Sequence, residues 1–217
     1  MTTVTAAGDS LAEDRHVNAR NTILALLVVA ALFTAVQRFE RRPVRQPDGE
    51  VAAGEPLQGP AADTSPLRIG RWVLTPRAEY DITARILSRE DYRFDVLAEL
   101  VPEDLALGWG PMSDNRVLRA FDISQEVRFY TWRPRGPMPI PRATVISHSA
   151  NTHVIPADPE VREALERLRV GDVVRLRGPL VDGKRDDGVA FHTSLTRLDS
   201  GPGACEVVLV RSVELTR

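Results

Sequence analysis

"LERLRVGDVVRLRGPLVDG", residues 165–183, changes its period from that of a helix to that of a strand within a few residues. Just upstream, Val161, Leu165 and Leu168 recur at the spacing of one helical face. Asp158 stands where a side chain can cap that helix. Pro159 suits the first helical position, where its missing N–H has no intrahelical partner to lose. Gly171 closes the segment. "DVVRLRGPLV" (172–181) then alternates as a strand and runs into a turn at Asp182-Gly183. One clear helix, about 159–169, therefore feeds a strand through a glycine turn.

Strand signals lie on both sides of this unit. In "YDITARIL" (80–87), Tyr80, Ile82, Ala84 and Ile86 alternate with polar residues, the period of a half-buried strand. "VRFYTW" (127–132) is aromatic and β-branched and stops before Pro134. "VAFHTSLTRL" (189–198) and "CEVVLVRSVEL" (205–215) read as strands joined by the loop "DSGPGA" (199–204). "PEDLALGWG" (102–110) reads as a short helix, and "VISHSANTHV" (145–154) as extended or irregular. The order predicts an α+β fold, mostly β, built on a small OB-like barrel or a curved antiparallel sheet.

The helix followed by "LRVGDVVRLRG" resembles the part of an OB-fold where a helix enters a strand through a glycine turn, a likeness covering some twenty residues. "ALGWGPMSD" (106–114), "SANTHVIPAD" (149–158) and "GACE" (203–206) resemble stretches of an uncharacterised group of bacterial single-pass membrane-anchored proteins, over roughly 75–215. That second resemblance implies a membrane tether and no particular activity.

Residues 22–36, "TILALLVVAALFTAV", hold no charge, and Arg20 and Arg38 bracket the uncharged run. Residues 21–37 are predicted as a transmembrane helix at the short end of the range needed to span hydrocarbon. A signal peptide fits less well, because Phe33 stands where a cleavage site needs a small residue. Residues 1–20 read as a polar tail. Residues 38–66 read as a linker: 43–66 carry five prolines and three glycines and show no apolar period. The folded β-rich domain is then 67–217. Arg38, Arg41, Arg42 and Arg45 follow the apolar run, against Arg15 and Arg20 before it, which by basic-residue count favours a cytoplasmic domain. An anchor, a Pro-rich spacer and a compact β-domain form instead an envelope layout. The layout is given more weight, and the domain is expected in the periplasm at the bacterial inner membrane.

Composition narrows function. The chain has 28 basic and 30 acidic residues, a formal net charge of −2. Such balance gives no electrostatic footprint for DNA or RNA, so no nucleic acid partner is expected. The expected partners are the lipid bilayer, through residues 21–37, and a membrane protein. A single cysteine, Cys205, excludes an internal disulfide and reads as a small buried apolar residue. No G-x-S-x-G, H-E-x-x-H, C-x-x-C, G-x-G-x-x-G or P-loop signature is present, so no cofactor is expected and binding is favoured over catalysis.

"ISHSANTHVIPAD" (146–158) is the most polar candidate. On a strand, Ser147, Ser149, Asn151 and His153 share one face. His148 and His153, five apart, share a face on neither strand nor helix, so no metal pair is expected. The row is predicted to be either a solvent-facing surface or, with Asn151 and His153 beside the helix N-terminus, part of a pocket. "GWGPMSD" (108–114) is the second candidate, with Trp109 and Asp114 presented by a Gly-flanked loop. Its bland alternative is Trp109 in the core and Ser113 or Asp114 capping a helix at 115–120. The tentative binding set is Ser149, Asn151, His153, Trp109 and Asp114, in a module of unknown ligand. Two alternatives remain: an envelope hydrolase using His153, His192, Asp114 and a serine (Ser149 or Ser194), and a structural subunit of a membrane complex.

Overall fold

The computed structural model describes residues 22, 24–31, 41–199, 201 and 203–216. The chain divides into two units, Met1–Arg42 and Pro43–Arg217. In the first, Thr22 and residues 24–31 are helical. The remainder of the expected transmembrane segment and the tail 1–20 lie outside the described residues. Among the described residues no helix is long and apolar enough to cross a membrane.

The second unit is mostly β. Its strands are β1 (Leu57–Pro60), β2 (Leu67–Ile69), β3 (Trp72–Asp91), β4 (Glu103–Gly108), β5 (Phe121–Glu126), β6 (Phe129–Pro134), β7 (Ser149–Pro156), β8 (Val173–Arg185), β9 (Ala190–Phe191), β10 (Glu206–Val210) and β11 (Ser212–Thr216). Three short helices, α1 (Asn115–Leu118), α2 (Arg142–Ser147) and α3 (Pro159–Glu166), and a 3-10 turn at Gly110–Ser113 interrupt them. Nine strands form one sheet, and β5 and β6 form a separate hairpin. The sheet is mixed rather than purely antiparallel, since β10 runs parallel to β7. The pairings β3–β4, β4–β7, β7–β10, β10–β8 and β8–β3 follow one another and return to β3.

The helix at the centre of the sequence reading forms between β7 and β8. Asp158 caps it by accepting from the Val161 N–H at 2.8 Å, and Pro159 is in its first turn. Val161, Leu165 and Leu168 are buried in the main core. Its C-terminal carbonyls are held by Arg89, whose Nη1 donates to Leu165, Glu166 and Leu168 O at 2.7–3.0 Å. A cation there also suits the negative end of the helix.

Strand β3 serves two cores with one alternation. Trp72 and Leu74 pack with Ile155, Val181, Val207 and Leu209, whereas Ala78, Tyr80, Ile82, Ala84 and Ile86 pack with Leu180, Val154 and Val208. Residues two apart should share a face. A bulge between Pro76 and Ala78 inserts Arg77 without a partner and reverses the faces. Pro76, which has no N–H to donate, sits where the ladder is already broken.

Three local expectations are corrected. "PEDLALGWG" is not helical: Glu103–Gly108 is strand β4, and all six residues are buried, so no alternation betrays it. "VISHSANTHV" divides into the end of α2 and most of β7. "VAFHTSLTRL" pairs with β8 only at Ala190–Phe191. Beyond it Ser194 donates to Asp199 at 2.7 Å and accepts from the Thr196 N–H at 3.1 Å, local bonds that compete with a ladder.

The expected linker is corrected as well. Residues 43–66 belong to the compact unit. The Val44 N–H donates to Val170 O at 2.8 Å, the Gly110 N–H donates to Ala52 O at 2.7 Å, and the Val51 and Ala52 N–H groups donate to Ser113 Oγ at 3.1 and 3.2 Å. Strand β1 pairs with β3. These residues are bound through backbone groups rather than an apolar stripe, which leaves no periodic signal. Removal of residues 1–42 is therefore expected to leave a cooperatively folded domain. Removal of 1–66 should lower stability by on the order of 2 kcal/mol or more, because several buried backbone bonds are lost. Equal melting temperatures for the two truncations would contradict this boundary.

Candidate functional site

Register decides what the polar row of β7 meets. His153 lies opposite Asp104 of β4, Asn151 opposite Ala106 and Ser149 opposite Gly108. Asn151 and His153 thus share the outer face of the sheet with Asp104. Leu105 and Leu107, of the other parity, face the main core, and fully buried Trp109 joins them there. The Trp109 loop therefore does not complete a pocket with Asn151 and His153. Its indole N–H donates to Glu55 Oε2 at 3.1 Å instead. Asp114 caps α1, accepting from the Arg116 N–H at 2.8 Å, and also accepts from the Gly49 N–H at 2.9 Å. The Arg116 guanidinium beside it holds its carboxyl well below the ordinary range. Ser149 donates to Val145 O at 2.7 Å. The five tentative residues are therefore not one site: Asn151 and His153 come together, and the other three serve local structure.

What gathers around Asn151 and His153 is a different set. Asp104 has no solvent exposure. Its Oδ1 accepts from His153 Nδ1 at 2.7 Å and from Arg128 Nη1 at 3.0 Å. Asn151 donates from Nδ2 to Arg128 O at 3.0 Å and to Cys205 Sγ at 3.6 Å, and its Oδ1 accepts from Gln125 at 2.7 Å. Burial alone disfavours the imidazolium. Asp104, through its hydrogen bond and its charge, outweighs this and, with Cys205 nearby, raises His153 from 6.5 to about 9.

Arg128 is delivered by a strained turn. Val127 and Arg128 form the two-residue loop between β5 and β6, with φ of 49° and 66°. Such hairpin turns normally use Asn or Gly, and a β-branched residue there is an outlier. The turn is overdetermined by what Arg128 binds: Asp95 at 2.8 Å, Asp104, Val101 O at 2.9 Å and the face of Tyr92 at 3.9 Å. Sequence reasoning missed Asp104 because β4 was read as a helix. It missed Arg128 because Val-Arg carries no turn signal. Cys205 alternates with Val207 and Leu209 in the sequence, but without the β7–β10 register that alternation could not place it beside Asn151.

The residues of the hydrolase alternative do not converge. His192 is 83 % exposed at its side chain and faces Asp182 at 3.2 Å. Ser194 is engaged with Asp199, and Asp114 with Arg116 and Gly49. Among the described residues no group of three His, Cys, Asp or Glu side chains is arranged to hold a metal ion.

On the core-facing side, Glu206 lies opposite Thr152. Glu206 is only 3 % exposed, and its Oε2, Tyr80 OH and Thr152 Oγ1 have no hydrogen-bond partner among the described residues. Desolvation raises the Glu206 carboxyl from 4.5 to about 8.

A second candidate lies across β2, the start of β3, the end of β8 and β9. Arg68 pairs with Val73, Val73 with Lys184 and Lys184 with Ala190, so these side chains form one row across four strands. They line a groove of about 540 Å³ together with Arg71, Arg77, Arg185, Asp182, Asp186, Phe191 and His192. Arg71 is matched to Asp186 at 2.6 Å and Arg185 to Asp187 at 2.9 Å. Among the described residues Arg68 and Lys184, the chain's single lysine, have no carboxylate within ion-pair distance. Phe191 packs on Trp72, with ring centroids 5.5 Å apart, and gives the groove an apolar side. No protein-family model, curated protein or solved structure matches this chain.

Proposed function

We propose that the chain is a binding module tethered at the bacterial inner membrane through residues 21–37, and that its domain captures an anionic, phosphate-bearing ligand in the Arg68–Lys184 groove. The observation that carries this is the surplus of positive charge in a concave site: its lining has five cationic side chains against two carboxylates, Arg185 is matched by Asp187 beside it, and Arg68 and Lys184 have no acidic partner among the described residues. A strand-paired scaffold holds both cations, so they are pre-organised and binding costs little ordering entropy. We also read the domain as an OB-type barrel. The cyclic order of strand pairings and the placement of α3 between β7 and β8 support that reading.

Titration of the full chain with pyrophosphate, and separately with phosphatidylglycerol vesicles, tests the groove. Charge reversal of both cations (Arg68→Glu with Lys184→Glu) should weaken binding by at least about tenfold, equivalent to ~1.4 kcal/mol. Unchanged affinity in the double variant, or no binding of either probe by the unaltered chain, contradicts the proposal. The periplasmic placement is tested by a reporter active only outside the cytoplasm, fused after Arg217. It should be active, and activity of a cytoplasm-only reporter would reverse the orientation.

A further inference from the structure

We infer that two loop tips of the domain, at Phe94–Val96 and Val127–Phe129, make a second contact with the bilayer and insert apolar side chains at the boundary between headgroups and acyl chains. The inference rests on the tether reading of residues 21–37 and shares no residue with the Arg68–Lys184 groove. Phe94 is 99 % exposed, Val127 72 %, Val96 51 % and Phe129 46 %. Arg128 clasps the two tips: its guanidinium meets Asp95 at 2.8 Å, and its backbone N–H donates to the Tyr92 hydroxyl at 2.9 Å. Each ion of that pair is flanked in sequence by two of the exposed apolar residues, so one salt bridge gathers all four. Single exposed apolar residues need no explanation, but four gathered at one place mark an interaction surface. The fold does not require them. Val127 sits at φ 49°, where Asn or Gly would turn the chain at less cost, and a side chain so exposed adds nothing to the core.

Chain length and shape favour lipid as the occupant. Residues 43–66 belong to the compact unit, so residues 38–42 alone separate the uncharged run from it, at most about 18 Å of extended chain. A tether that short keeps the effective concentration of bilayer at the domain high, and even a weak insertion is then populated. Val44 is where the chain joins the domain: its N–H donates to Val170 O, and the N–H of the next residue, Gly171, donates to Ile86 O, both at 2.8 Å. Phe94 follows Ile86 by eight residues, at most about 29 Å along the chain. The joining point and the two tips therefore lie within reach of one membrane plane. Among the described residues no side chain covers Phe94. A fluid bilayer closes around such a projecting ring, whereas a protein partner would need a pocket shaped for it. The charged residues adjoining the four in sequence, Arg93, Asp95, Glu126 and Arg128, sum to zero. Insertion is thus driven by apolar burial and needs no anionic headgroup, unlike capture in the groove.

The test uses the full chain reconstituted in phosphatidylcholine vesicles, which carry no net charge and so offer the groove no anionic surface. Phe94→Trp adds an indole at the tip, read as the difference from the unaltered chain. Lipid brominated on its acyl chains should quench that added fluorescence at least about twofold, as insertion roughly 5–10 Å below the headgroups requires. The quenching should disappear when Val127→Asp and Phe129→Asp accompany Phe94→Trp, substitutions at exposed positions that leave the core intact. Flotation of the vesicles reports the tether separately. A chain that fails to float contradicts both the tether and this contact. A chain that floats while brominated lipid leaves the added fluorescence unquenched overturns the inference and keeps the tether. Burial of the added indole that rises with protein concentration at fixed lipid would show a second copy at the tips, and would overturn it as well.

Discussion

Glu206→Gln is expected to raise the stability of the domain at pH 8 by roughly 2–4 kcal/mol while changing it little at pH 5. Glu206 is buried at the core end of β10, with Oε2 unpartnered among the described residues. Desolvation lifts its carboxyl from 4.5 to about 8. Between those values the folded chain holds a proton that the unfolded chain has released, so the folded state loses stability as pH rises through the window. Glutamine keeps the shape and removes the charge. His153 acts with the same sign. Its folded value is raised from 6.5 to about 9, so its contribution is fully present below 6.5 and lost as pH rises towards 9. The unaltered domain should therefore become steadily less stable from pH 5 to pH 9. The Gln variant should show a flatter profile that retains only the His153 part. Urea unfolding at pH 5, 7 and 8 measures both. A variant less stable than the parent at pH 8 would show that Glu206 has a buried partner.

Asp104→Ala is expected to destabilise the domain by about 3–5 kcal/mol at pH 7. The carboxylate is fully buried and carries two charges on one oxygen, those of Arg128 and His153. Its loss leaves the Arg128 guanidinium, 13 % exposed at its side chain, with Asp95 as its one carboxylate partner among the described residues. It also releases the strained Val127–Arg128 turn, which those contacts overdetermine. His153 loses the partner that raises it and should titrate nearer its ordinary value, so the variant should lose less stability above pH 8 than the parent. A change under about 1 kcal/mol would mean that Arg128 and His153 find water instead, and the cluster would not be the fixed unit described here.

The helix and strand around residues 158–181 were readable because cap, stripe and glycine stop agree locally, and Asp158, Pro159 and Gly171 all act within a few residues of themselves. The pairing of Asn151 with His153 on one face follows from a spacing of two. Their partners do not follow from any local rule. Asp104 reaches His153 through the β4–β7 register, and Cys205 reaches Asn151 through the β7–β10 register, both long-range alignments. Strand β4 hid itself by being buried on both faces. The segment 43–66 hid itself by binding through its backbone. The groove was invisible in the sequence because Arg68 and Lys184 are brought into one row only by three successive strand pairings. The neutral charge of the domain concealed a local excess.

The binding proposal stands most directly on one measurement, the mapping of amide chemical-shift changes in the domain 43–217 on titration with pyrophosphate. Saturable shifts confined to Arg68, Val73, Lys184, Ala190 and Phe191, and absent from the Arg68→Glu and Lys184→Glu double variant, are the predicted result. Shifts centred elsewhere, such as at Asn151 and His153, or no saturable shifts with either pyrophosphate or phosphatidylglycerol vesicles, would contradict it.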